Sequence, residues 1–181
     1  MRSLILHPTP AAQWQAIVHE AQESCAIYLK EDLESYLVFL LMRSTTSTAI
    51  ASSVLGLDFL EGVQRIGTSR HALLQEVGDQ CLLTAGLFPE RAARKRVKLS
   101  YFVRLGQTAY GTLSNELFIQ LCHEFPRLMD VLQATRETPA ALTLLQTLEL
   151  WVETRSQLAW KRLHAATNGT IVINDQDKSV H

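Results

Sequence analysis

Apolar residues recur along this chain every three or four positions, the spacing of one face of an α-helix. Trp14, Ile17, Val18, Ala21, Cys25 and Tyr28 make the first such face. Thr9-Pro10 opens it, a capping hydroxyl ahead of a proline at the first helical position. Leu33, Tyr36, Leu37, Leu40 and Leu41 make the second, with Val38, Phe39 and Met42 on its other sides. Glu31, Asp32 and Glu34 stand at its start and Arg43 at its end, the order the helix dipole favours. A helix apolar nearly all round is expected in the middle of a bundle or under a partner.

The polar stretch 44–48 breaks the pattern, and Ile50, Val54 and Leu57 resume it. Asp58 restarts a short helix through Phe59, Leu60 and Val63 that Gly67 is expected to end, with Thr68 or Ser69 capping the next. Wound at 100° per residue, that next helix puts Leu73, Leu74, Val77, Cys81 and Ala85 on one arc. Asp79 falls opposite, yet Leu82 and Leu83 flank it at i+3 and i+4, so it does not face clean solvent. Gly86 suits the C-terminal cap and Pro89 the stop. Leu99, Phe102, Val103 and Leu105 continue, with Gly106 read as a point of close helix–helix approach. Asn115 starts a helix carrying Leu117, Phe118, Leu121 and Cys122; Pro126 is expected to break it before Leu128, Met129, Val131 and Leu132.

Thr138-Pro139 reads as another helix start, with the helix running to about Ala166. Leu145, Leu148, Val152, Ala159 and Leu163 form its stripe, Arg155 lands inside the apolar arc, and Asn168-Gly169 stops it. Strand-like alternation is absent before the tail. The pattern predicts an all-α, single-domain bundle of about seven to nine helices over 1–168, then a short C-terminal tail, 169–181, mobile or docked as an arm through Ile171, Val172 and Ile173.

Composition changes this picture in three ways. Charged residues are 19% of the 181, below the average of about 25%. That shortage predicts extra buried surface, such as a face shared with a second copy. The net charge of −1 gives no whole-chain pull toward nucleic acid or an anionic membrane. Cys25, Cys81 and Cys122 are odd in number and far apart, which excludes a CxxC site and fits free thiols in a reducing cytoplasm. Leu4-Ile5-Leu6 is too short for the core of a signal peptide, and Tyr36 to Met42 is too short to span a bilayer.

Candidate chemistry rests on a few polar residues in apolar surroundings. Asp79 and Arg155 both sit where the helical pattern calls for apolar groups, and unpaired each is costly to bury. Paired, they make a register-fixing bridge or the polar centre of a ligand pocket; alternatively Arg155 snorkels outward. Tyr101 and Tyr110 are nine apart, on opposite faces of one helix, which reads as two hydroxyls seeking separate partners. Arg91, Arg94, Lys95, Arg96 and Lys98 form the densest basic run, an anion contact or a solvated face. Nothing interleaves aromatics with it, so nucleic acid is not favoured.

Cys122-His123-Glu124 points three ways around a helix and cannot jointly hold a metal, and the six histidines are scattered. HExxH, the P-loop, a dinucleotide fingerprint and GxSxG are all missing, so no cofactor, metal or catalytic residue is implied.

Gly78, Asp79, Leu82, Gly86 and Phe88, followed by Tyr101, Gly106, Ala109 and Tyr110, resemble the motifs of an uncharacterised, all-helical family of bacterial proteins. Leu87 and Phe102 stand where that family carries other aromatics. The resemblance implies a bacterial source and a helical fold, and no activity. The leading expectation is a non-catalytic interaction or regulatory module that self-associates, through the helix at 33–43 or the last helix. A small-molecule site around Asp79 and anion contact through 91–98 are the alternatives.

Overall fold

Thr9 accepts a hydrogen bond from the Ala12 N–H at 3.2 Å, and helix α1 (Pro10–Cys25) begins where the Thr-Pro pair placed it. The computed structural model describes residues 9–46, 54–94, 96–136, 138 and 142–167. Among these it contains nine helices: α1, α2 (Glu31–Thr46), α3 (Leu55–Gln64), α4 (Gly67–Leu87), α5 (Pro89–Arg94), α6 (Leu99–Gly111), α7 (Glu116–Ala134), α8 (Leu144–Thr154) and α9 (Gln157–Ala166). The tail, Ile50, Lys95 and Pro139 lie outside the described residues. No helix among the described residues is long and apolar enough to cross a membrane.

The bundle is organised around α4. Every residue from Val77 to Gly86 is buried, because α3, α5, α6 and α7 all pack against this one helix. Over that stretch the helix has no solvent face, which is why its pattern gave no clean polar arc. Close packing of α6 on α4 depends on Gly106: a Cβ there would stand 2.6 Å from Phe125 Cζ and 2.9 Å from Cys81 Cβ. The sequence reading of Gly106 holds. The α2 helix buries Leu33, Leu37, Leu40 and Leu41 against α1 and α7, and Phe39 is its exposed apolar residue, so α2 is a core helix more than a partner face. Cys25 and Cys81 are buried and Cys122 is half-buried; all three thiols are free.

Four boundaries differ from expectation. Gly67, at φ +63°, turns the chain between α3 and α4 instead of ending a helix, and no side chain of Thr68 or Ser69 caps α4. Gly86 lies inside α4, whose C-cap is Phe88. Pro126 lies inside an uninterrupted α7. Proline has no N–H for the carbonyl four residues back; that carbonyl, of Cys122, accepts from Gln107 Nε2 of α6 at 3.1 Å. A donor from a neighbouring helix thus replaces the one proline removes.

The fourth difference is the last helix, which is two. Arg155, in the left-handed region at φ 59°, ends α8, and Ser156 caps α9 by accepting from the Ala159 N–H. The start differs as well: α8 begins at Leu144 and not at Thr138-Pro139, with Thr143 and Gln146 forming a reciprocal capping box. The predicted stripe splits at the break: Ala159 and Leu163 of α9 are buried as expected, but α8 buries Thr147, Leu150 and Thr154, while Leu145 and Val152 are 65% and 48% exposed. The buried threonine hydroxyls donate to carbonyls of their own helix, Thr143 at 2.9 Å and Leu150 at 2.6 Å, so burying them costs little.

Candidate functional site

The α4 helix presents Asp79 to the inside of the bundle, where the residue is 1% exposed. Donors from two other helices meet it there. Tyr36 of α2 and Tyr110 of α6 each donate a hydroxyl to Oδ1 at 2.6 Å. Arg43 of α2 donates through Nη2 to Oδ2 and forms an ion pair with it. Gln75, one turn before Asp79, donates to the Tyr36 oxygen at 3.3 Å. Tyr36 and Arg43 share a face of α2 because seven residues fall within about 20° of two full turns. Tyr110 reaches Asp79 only by lying over Gly78, where a Cβ would stand 2.5 Å from its Cδ1 and 2.9 Å from its Cζ.

Burial dominates the electrostatics. It pushes the Asp79 carboxyl above its usual range, against the downward pull of the Tyr110, Tyr36 and Arg43 donors. Burial, and then the Asp79 charge, push both tyrosines well above the ordinary phenol value, so they are held as neutral donors. Desolvation lowers Arg43, but the carboxylate beside it more than offsets that, and the guanidinium is held charged. The hollow next to the carboxylate, lined by Leu40, Arg43, Glu76, Gln80 and Leu83, measures about 70 Å³. That is room for water; a drug-sized molecule takes about 300 Å³ or more. The arrangement ties α2, α4 and α6 at one point.

Asp79 is therefore buried and paired, as its surroundings predicted, but its partner is Arg43 and not Arg155. Arg155 is exposed at the end of α8, with its guanidinium 5.2 Å from the centre of the Trp151 ring. Its place on the apolar arc assumed one helix through 139–166; the break at Arg155 and Ser156 rotates it to the surface. Tyr101 and Tyr110 do part company as the 180° spacing required. Tyr110 is the buried hydroxyl with a partner, whereas Tyr101 is exposed, edge-on to Phe102. Tyr36 and Arg43 were missed. Their signal was a tyrosine within the apolar stripe of α2 and an arginine one heptad after it.

The basic run is dispersed. Arg91 lies 4.3 Å from the centre of the Phe88 ring, and Arg94 and Arg96 are exposed. Lys98 pairs with Glu149 at 3.5 Å and Glu153 at 3.3 Å, and Lys95 is not described. Among the described residues no group of three or more His, Cys, Asp or Glu could hold a metal ion.

A second buried carboxylate, unremarked in the sequence reading, sits in α7. Asp130 accepts from Ser156 Oγ at 2.6 Å and from the Leu158 N–H at 3.1 Å, which fastens the α8–α9 corner to α7. Its signal was a lone acid inside Leu128-Met129-Asp130-Val131-Leu132. Beside it Arg162 donates to Gln133 at 3.3 Å, and Gln133 to the Ala85 carbonyl at 3.0 Å. Lys161 donates to the Cys25 carbonyl at 2.5 Å, joining α9 to the end of α1.

Burial raises the Asp130 carboxyl from 3.8 to about 6, against the Ser156, Leu158 and Gln157 hydrogen bonds and the Arg162 charge. The folded chain then holds this proton at pH values where the unfolded chain has released it. Stability from this group is full below about pH 4 and is lost as pH rises through about 6. The stability of the wild type minus that of Asp130→Asn should fall by about 2 kcal/mol from pH 4 to pH 7. Urea melts of both proteins at the two pH values measure it. A difference that stays flat, or grows with pH, contradicts the burial account.

Of the nine residues singled out for their resemblance to family motifs, Gly78, Asp79, Gly106, Ala109 and Tyr110 are buried where α4 meets α6, whereas Gly86 lies against Leu132 of α7, Phe88 is half-buried and Tyr101 is exposed. Compared with family models, with curated proteins and with solved structures, the chain matched none.

Proposed function

We propose that this chain is a non-catalytic helical interaction module that self-associates through the outer face of α8. The observation that carries the reading is the inverted amphipathicity of that helix. Its threonines face inward, and Leu144, Leu145 and Val152 face outward, with Leu148 half-buried among them. Beside this seam the Trp151 and Trp160 ring centres lie 4.8 Å apart with their planes tilted by 32°, and Trp160 is exposed. Large exposed apolar patches with tryptophan and arginine anchors are typical of association sites.

A second copy is the occupant best matched to the seam. The acids on its flank, Glu149 and Glu153, are already paired with Lys98 and Arg104 of their own chain. What covers the seam therefore needs apolar surface and little charge, and an identical seam related by a two-fold axis supplies that. The Asp79 centre serves in this reading as an internal tie that keeps α2, α4 and α6 in register.

Sedimentation velocity across a concentration series tests it. The wild type should dimerise, and Leu145→Glu/Val152→Glu should weaken the dimer about a hundredfold or more while keeping its helical circular dichroism. A wild type that remains monomeric at high concentration, or a variant that dimerises as well as the wild type, would end the reading.

A further inference from the structure

A larger hollow adjoins the small one beside Asp79 and shares Leu40 and Arg43 with it. It measures about 490 Å³ and lies between α2 and Gln75 of α4. Small-molecule sites span about 300–1,000 Å³, with mostly apolar walls and a few converging polar groups. This hollow has that make-up. Phe39, Leu40 and Met42 supply the apolar part, and Tyr36, Arg43 and Gln75 the polar part. Phe39 is 66% exposed, so the hollow opens to solvent and a ligand has a way in.

The three polar residues are one hydrogen-bonded set. Gln75 donates to the Tyr36 oxygen, Tyr36 donates to Asp79 Oδ1, and Arg43 donates to Asp79 Oδ2. One buried carboxylate thus holds, directly or through Tyr36, each polar side chain among the described residues that line the hollow. A hollow left over from helix packing needs no such support. Groups ordered from behind, before any ligand arrives, are what a binding site requires. Charge then selects the ligand. Arg43 is the one charged residue among the described lining residues, its guanidinium is held charged, and its side chain is 54% exposed. A guanidinium fork matches a carboxylate through two parallel N–H bonds. The Gln75 amide carries two N–H groups, one of which Tyr36 takes. A dianion such as phosphate would bring a second negative charge close to Asp79, so a single charge fits better.

We propose that this hollow binds a small monocarboxylate with an aliphatic or aromatic body, the carboxylate against Arg43 and Gln75 and the body over Phe39 and Met42. Asp79 is then a positioning residue as well as a structural tie. The site uses no residue of the outward α8 seam, so ligand binding and self-association are separable.

Chemical-shift titration of the ¹⁵N-labelled full-length protein tests it, with octanoate and with octanamide, its neutral counterpart, as probes. Octanoate should give saturable shifts centred on the Gln75 side-chain amide and the backbone amides of 39–43. Octanamide keeps the apolar chain and loses the charge, and should bind about tenfold more weakly or worse. Phe39→Glu, at an exposed position, removes the ring and sets an anion at the mouth. It should weaken octanoate about tenfold or more. Leu145→Glu/Val152→Glu, on the α8 seam, should bind octanoate as the wild type does. The proposal is overturned if octanoate gives no saturable shifts, or shifts centred elsewhere. It is equally overturned if octanamide binds the wild type, or octanoate binds Phe39→Glu, as tightly as octanoate binds the wild type, or if the α8 variant loses the binding.

Discussion

Asp79→Ala is expected to destabilise the protein by about 3–5 kcal/mol, the loss found when one partner of a buried, hydrogen-bonded charge pair is removed. For a chain of this length that lowers Tm by about 10 °C or more. The carboxylate satisfies two phenols and a guanidinium at once. Without it the Tyr110 hydroxyl, in a fully buried residue, keeps no comparable acceptor, and an unsatisfied buried donor costs about 1–3 kcal/mol. Arg43 suffers less, because its side chain is 54% exposed and can turn toward water.

A companion variant separates lost polar partners from lost shape. Asp79→Leu/Tyr36→Phe/Tyr110→Phe removes the acceptor and both phenolic donors together. It should recover much of the loss, since apolar replacement of a whole buried polar set is often close to neutral. Thermal and urea melts of both variants measure this. If Asp79→Ala melted within about 2 °C of the wild type, or the triple variant were far less stable than the single one, the centre would not be a structural tie.

Gly78→Ala is expected to cost about 3 kcal/mol, against the usual sign for this change. In an exposed helix alanine is better than glycine by about 1 kcal/mol. Here the added methyl meets the Tyr110 ring, which is buried against Phe118 and Phe125 and has nowhere to retreat. Overpacking of this kind costs about 1–3 kcal/mol or more. A displaced ring also draws the hydroxyl away from Asp79, adding a hydrogen bond to the loss. Because steric and polar losses act on one side chain, Gly78→Ala and Tyr110→Phe should be less damaging together than the sum of the two. A melting temperature unchanged or raised by Gly78→Ala would show that α4 and α6 do not pack as closely as this geometry requires.

Much of the α-helical architecture was legible from residue spacing, because a helix long enough to need capping advertises both its ends and its apolar face. Thr9-Pro10 and Glu31 marked the starts of α1 and α2, and Gly106 announced a close crossing. Misreadings came where a neighbour supplied what local chemistry lacked. Pro126 looked like a break because the Gln107 side chain that takes the Cys122 carbonyl lies on another helix. The stripe through Leu145 and Val152 looked like core because its winding was carried through Arg155, where the chain turns left-handed.

By itself the sequence determined the class of fold, the position of most helices and the expectation that Asp79 does not lie on a clean solvent face. Those properties depend on periods of a few residues and on the cost of burying a lone charge, both of which act within a single helix. Which guanidinium answered Asp79 was decided by tertiary structure. Arg43 is 36 residues away in the chain and Arg155 is 76 away, and nothing local ranks them. The choice follows from α2 docking beside α4 while α8 ends in a corner held by Asp130, so that one arginine is carried inward and the other out to solvent. The outward seam of α8 has the same origin. It exists because a helix that packs Thr147, Leu150 and Thr154 inward leaves Leu145 and Val152 outside.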